Sequence, residues 1–193
     1  MRRLALLTLI CSSILLNGCE TLIIAGATTS AVASQDRRDF ETQIADQNTE
    51  FKTFSSFFGD DELWNNTNIN VISYNKVVLI VGQAPTATLK RKASEEVKKI
   101  AKENKVHNQI RVTAPLSFFA KRNDEYLTTK VKSSMLFTSE FPSSKIKVVT
   151  ENSEVFLLGL VTPKEADQAV EITRNIDGVK KVIKVFEYIS EES

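Results

Sequence analysis

The chain repeats itself. Ile69-Asn70-Val71 followed by Val77-Val78-Leu79-Ile80-Val81-Gly82 returns without a gap as Ile146-Lys147-Val148 followed by Glu154-Val155-Phe156-Leu157-Leu158-Gly159, each position 77 residues on. A repeat of this length is one supersecondary unit used twice. The 193 residues are enough for two such units and a leader.

Within each copy the pattern reads the same way. Lys145-Ile146-Lys147-Val148 alternates, Glu151-Asn152-Ser153 supplies turn residues, and a continuously apolar strand follows and ends in glycine. Those pairs are hairpins. A helix comes next. In the second copy Thr162-Pro163-Lys164-Glu165 is a capping box with proline at the first helical position, Ala166, Ala169, Val170 and Thr173 mark the buried stripe, and Gly178 is expected to stop the helix. In the first, Leu89, Ala93, Val97 and Ile100 give the same stripe, with lysines and glutamates outside. Third strands are predicted at about 106–112 and 181–189, and further helices ahead of each hairpin at roughly 44–58 and 124–137. The expectation is an α+β fold, helix-strand-strand-helix-strand twice over, with two helices packed on a three-stranded mixed sheet in each unit.

The middle strands add a constraint. Val155, Leu157 and Val161 point to one sheet face while Phe156, Leu158 and Leu160 point to the other. Two helices cover only one face of a three-stranded sheet. The second face is therefore predicted to be at least partly buried against the other repeat.

Val155-Phe156-Leu157-Leu158-Gly159 and Gly178-Val179-Lys180-Lys181-Val182 resemble the signature of the BON domain, a strand ending in Leu-x-Gly, a helix, and a Gly-Val-x-x-Val segment. The first copy has Asn104-Lys105-Val106 where the second has its glycine, so its helix exit differs. The resemblance implies tandem BON domains, bounded at 39–113 and 114–193.

Ahead of them, Met1-Arg2-Arg3 and an apolar run from Leu4 to Leu16 have the layout of a secretory leader. Leu16-Asn17-Gly18-Cys19 resembles a bacterial lipobox, with Asn17 departing from the usual small or hydroxyl residue. Residues 1–18 are thus expected to be a lipoprotein signal peptide, and Cys19 the lipidated first residue of the mature chain. The alternatives are an ordinary leader cut near Gly18, or a spanning segment extended through Ala27; a span needs roughly 20 apolar residues, and Asn17 and Glu20 interrupt this one. Residues 19–38, rich in Thr, Ala and Ser, read as the lipidated cysteine and a flexible tether with a reach on the order of 25 Å.

Composition narrows the chemistry. Lys and Arg number 25 against 24 Asp and Glu, and the leader removes Arg2 and Arg3, so no global charge points to nucleic acid. The only cysteines are Cys11, in the leader, and Cys19. A disulfide scaffold and a cysteine-ligated metal are excluded. With one histidine, His107, scattered carboxylates and no glycine-rich phosphate loop, there is no catalytic, metal or cofactor motif. The chain is not expected to be an enzyme or to carry a cofactor.

For lipoproteins with two BON domains, the resemblance implies binding of anionic phospholipid, such as phosphatidylglycerol or cardiolipin, through the first helix of the second domain. It further implies attachment to the periplasmic face of the outer membrane, a role in outer-membrane integrity, and enrichment at the division site. The residues test this independently. From Asp39 to Glu62 there are seven acidic residues against Lys52 alone, whereas from Lys121 to Phe137 four basic residues face Asp124 and Glu125. Only the second leading helix can be attracted to an anionic surface. At about 100° per residue, Leu127, Val131 and Met135 suit its own core, and Tyr126, Lys130, Ser133 and Phe137 form an adjacent stripe flanked by Thr129 and Leu136. The candidate phospholipid site is Tyr126, Leu127, Lys130, Lys132, Ser133, Leu136 and Phe137, a mixture of rings, aliphatic groups and lysines typical of an interfacial helix. The other reading has Tyr126 and Phe137 capping the domain core. A rival basic surface around Lys90–Lys105 has almost no apolar partners, which fits a solvated helix. Trp64, just before the first hairpin, reads as a packing residue. A second class of function stays open, a tethered adaptor that docks an envelope protein without reading lipid.

Overall fold

A computed structural model describes residues 36–102 and 104–190. The expected signal peptide, Cys19 and most of the tether lie outside the described residues. The elements run α1 (Phe40–Phe58), α2 (Asp61–Asn66), β1 (Asn68–Tyr74), β2 (Val77–Ala84), α3 (Ala87–Ala101), β3 (Lys105–Val112), α4 (Phe118–Phe137), a 3-10 turn (Ser143–Lys145), β4 (Ile146–Glu151), β5 (Glu154–Val161), α5 (Pro163–Arg174) and β6 (Lys181–Tyr188).

Local chemistry accounts for the breaks. Each helix starts at a side chain that accepts an orphan amide hydrogen: Asp39, Asp60, Thr86, Ser117 and Thr162, the last in a complete capping box with Glu165. Both hairpins turn on two residues with positive φ, Asn75-Lys76 and Asn152-Ser153, the conformation a tight type I′ turn requires. The middle strands do not end at their glycine, as the sequence indicates, but run two residues past it to Ala84 and Val161, and the glycine there is steric. A Cβ on Gly82, whose φ is +121°, would lie 1.9 Å from the Asn68 carbonyl oxygen, and one on Gly159 would lie 2.7 Å from that of Lys145.

In each sheet the first strand pairs antiparallel and the third parallel to the middle one, so the orders β1-β2-β3 and β4-β5-β6 are mixed as expected. One face of each is closed by its own helices. Val78, Ile80 and Ala84 meet Leu89, Ala93, Val97, Phe57 and Leu63; Val155, Leu157 and Val161 meet Val131, Met135, Ala166 and Ala169. The two remaining faces pack on each other. Ile72, Tyr74, Leu79 and Val81 of one sheet bury Phe156, Leu158 and Val185 of the other. Each large side chain buried there is worth roughly 1.5–3 kcal/mol. Polar contacts ring this seam: Gln83 Nε2 donates to Glu151 Oε1 at 2.5 Å, Arg111 pairs with Glu154 at 2.6 Å, and Arg37 clasps Glu165 through both carboxylate oxygens at 2.6 and 2.8 Å.

Some sequence expectations need correction. The helix α5 ends at Arg174 with Asn175 as its cap, so Gly178 does not stop it; with φ +99° it shapes the turn into β6. On α3 the last fully buried position is Ala101, with Ile100 only half-buried. The leading helices begin earlier than periodicity indicated, at Phe40 and Phe118, because Asp39 and Ser117 cap them. The short α2 was not anticipated.

Candidate lipid-facing helix

Ser117 follows Pro115 and opens α4, which runs for 20 residues. Its inward face is Asp124, Leu127, Val131 and Met135, all buried. Leu127, only 1% exposed, packs against the Gly178 turn and is therefore no surface contact, which corrects its inclusion in the candidate site. The opposite face is apolar and aromatic. Phe118, Phe119, Tyr126, Leu136 and Phe137 are 60–84% exposed, so Tyr126 and Phe137 do not cap the core. Phe119, Tyr126 and Phe137 align within one helical stripe, with Phe118 and Leu136 beside it.

Cations interleave with these rings. The guanidinium of Arg122 lies 5.2 Å from the Phe118 ring centre and the Lys130 ammonium 5.5 Å from that of Tyr126. Lys132 is exposed, Ser133 half-buried, and Lys130 half-buried with its Nζ donating to the Asp177 carbonyl at 3.4 Å. The acidic residues are spoken for. Asp124 is buried and accepts from the turn amides of Asn152 and Ser153, and Glu125 pairs with Arg122 at 2.6 Å. Lys121, Lys130 and Lys132, none of them paired with an acid among the described residues, therefore set the sign of this face.

The rival basic helix α3 differs. Lys92 is held by Asp60 and Glu62, each at 2.7 Å, Lys90 donates to the Ile110 carbonyl, and none of the exposed large hydrophobic side chains lies on it. His107 is half-buried in β3, where burial and then the neighbouring Lys105 lower its pKa below the ordinary value. Among the described residues no His, Cys, Asp and Glu cluster could hold a metal, and no helix is long and apolar enough to cross a membrane.

Residues 52–114 and 123–190 each match the BON domain family. The chain belongs to the BON-domain family. It is 39% identical over 178 residues to the outer membrane lipoprotein DolP of Haemophilus influenzae, covering 92% of each protein. Over 158 residues it is also 39% identical to the 21 kDa hemolysin of Actinobacillus pleuropneumoniae, 80% of this chain and 79% of that one. Like the first relative, this BON-domain protein is an outer-membrane lipoprotein. The C-terminal domain of CdsD, a structural protein of the type III secretion system of Chlamydia trachomatis, aligns at a TM-score of 0.30 and 13% identity over 75% of this chain and 67% of that one, too little to carry an argument.

Phe118 and Phe119 precede the helix start that periodicity predicts in this BON domain. The signal was present, since Ser117 after Pro115 is a helix start.

Proposed function

We propose that the second BON domain reads anionic phospholipid through the outward face of α4, while acyl chains on Cys19 hold the protein at the periplasmic face of the outer membrane. The observation that carries this reading is the segregation on α4: an inward face closed by Leu127, Val131 and Met135, and an outward face of five exposed large apolar side chains interleaved with Arg122, Lys130 and Lys132. Rings buried at headgroup depth with cations against phosphate describe an interfacial helix. Each cation near an anionic surface contributes about 1 kcal/mol, and a partly inserted ring adds about 1–2 kcal/mol. Such contacts are weak alone. With the anchor holding the helix at a local concentration of roughly millimolar, they bias orientation and lateral position. A role in envelope integrity and concentration at the division site belong to the same proposal.

Residues 36–193 lie within one compact unit and provide the test. Sedimented with vesicles, this unlipidated unit is expected to bind phosphatidylglycerol and not phosphatidylcholine, and to lose binding on Tyr126→Glu or Leu136→Glu. Unchanged binding by either variant, still folded, would sink the reading. The adaptor reading draws support from a separate surface on the first domain.

A further inference from the structure

The leading helix of the first domain is amphipathic in the inverted sense. Its buried positions are Thr42, Asp46, Thr49, Thr53 and Phe57, whereas Phe40, Ile44, Phe51, Phe54 and Phe58 stand 43–71% exposed in one stripe. Trp64 of α2 joins them, edge-on to Phe54 at 5.7 Å and to Phe58 at 5.1 Å. Beneath this ridge lies a groove of about 660 Å³ whose far wall is β1, from Asn68 to Val71.

β1 is an edge strand. The Ser73 amide donates to Glu50 Oε1 at 2.8 Å, away from β2. Because amide direction alternates along an antiparallel strand, the N–H and C=O groups of Ile69 and Val71 also point outward into the groove. No hydrogen bond reaches them there among the described residues. An open edge beside apolar side chains is what folded proteins ordinarily blunt or cover.

We propose that this groove takes an extended segment of a partner protein, apolar at every second residue, which adds to β1 as a further strand beneath the aromatic ridge. Two observations fix that chemistry. The outward amides and carbonyls select a strand, since strand addition supplies affinity through the main chain and specificity through alternate side chains. A period of two sets every second residue against Phe51, Phe54 and Trp64. The one acidic residue lining the groove, Glu50, is taken by the Ser73 amide and Lys147, while the segment that carries the ridge, Asp39 to Glu62, holds seven acidic side chains against Lys52. The same charge disfavours an anionic bilayer as the occupant. With Ser73 taken by Glu50 and the Thr67 amide by the Leu63 carbonyl, the open ladder spans Ile69 to Val71. A short segment of about five residues is enough to fill it.

Trp64 is the only tryptophan and sits on the rim, so its emission reports occupancy. The experiment uses the full chain in phosphatidylcholine nanodiscs, titrated with a synthetic peptide that alternates lysine and valine. The expected result is a saturable blue shift, weakened about tenfold or more by N-methylation of alternate peptide amides and by Phe51→Ser or Phe54→Ser. Those rings are 67% and 56% exposed, so their loss spares the core. Four results would overturn the proposal: no saturable shift, equal binding of the N-methylated peptide, equal binding of a peptide that alternates lysine and serine, or a Trp64 response to phosphatidylglycerol vesicles in place of the peptide.

Discussion

Asp124 reaches from α4 to the hairpin turn of its own domain, its Oδ2 accepting the Asn152 amide hydrogen at 2.7 Å while Oδ1 accepts that of Ser153 at 2.7 Å. The first domain repeats the device. Asp46 of α1 accepts from the amides of Asn75 at 2.6 Å and Lys76 at 2.9 Å, and from the Ser73 hydroxyl. One carboxylate thus pins the roll of each leading helix against its sheet. For α4 that roll turns Leu127 inward and leaves Tyr126 and Phe137 outside, so the exposed ridge is a consequence of a buried acid.

Removing that acid should loosen the helix. Asp124→Ala leaves two turn amides unsatisfied next to the core and is expected to lower stability by about 2–3 kcal/mol, with Asp124→Asn milder because one acceptor remains. Urea denaturation of residues 36–193 measures both. A loss below about 0.5 kcal/mol for the alanine variant would mean that packing alone sets the roll.

Gly82 and Gly159 occupy matching places, but the structure distinguishes them. Gly82→Ala meets both a positive φ and a Cβ at 1.9 Å from the Asn68 carbonyl, whereas Gly159→Ala has no positive φ and meets the Lys145 carbonyl at 2.7 Å and Val161 Cγ1 at 3.1 Å. The first should cost roughly 3 kcal/mol or more and the second less. Thermal melts of the two variants should rank in that order.

Two glutamates beside the sheet-on-sheet seam should give stability opposite pH dependences. Burial raises the Glu151 pKa above 4.5, with the Gln83 hydrogen bond opposing, so its contribution is fully present below 4.5 and lost as pH rises through the raised value. Glu165 is lowered, chiefly by its hydrogen bond from Arg37, so its contribution is present above 4.5 and lost as pH falls through the folded value. Accordingly Glu151→Gln should match the parent in acid and exceed it at neutral pH. Glu165→Gln should fall short at neutral pH and converge in acid. Melting temperatures taken from about pH 3 to 7 across the carboxylate range test both signs.

The strands and trailing helices were legible in the sequence because their signals are local. Asn152-Ser153 between alternating apolar runs defines a hairpin, and Thr162 with Glu165 defines a helix start. The two-faced middle strand, with Leu157 opposite Leu158, even announced the sheet-on-sheet seam. The leading helices were less legible. Their inward faces carry Asp46 and Asp124, and Phe40 and Phe118 lie outside the buried stripe, so hydrophobic periodicity began several residues late. Asp124 counted by sequence as a surface charge is in truth a buried cap. That relocation strengthens the case for α4, because Glu125, paired with Arg122, is then the remaining acid there.

At an anionic surface, the position of a charge on this protein is expected to matter more than the total. Reversing Lys132 on α4 removes one attraction to an anionic surface and adds one repulsion, about 2 kcal/mol in all, or roughly thirtyfold in partitioning. Reversing Lys98 on α3 changes the net charge equally, yet that residue has no exposed aromatic neighbour on its helix. Lys132→Glu should therefore largely abolish sedimentation of residues 36–193 with phosphatidylglycerol vesicles at low salt, and Lys98→Glu should leave it within about twofold. Raising salt to about 0.3 M, where the screening length falls to several ångströms, should narrow the gap between parent and Lys132→Glu. Equal losses from the two reversals would mean that the bilayer senses the protein's overall charge, and α4 would have no privileged contact with it.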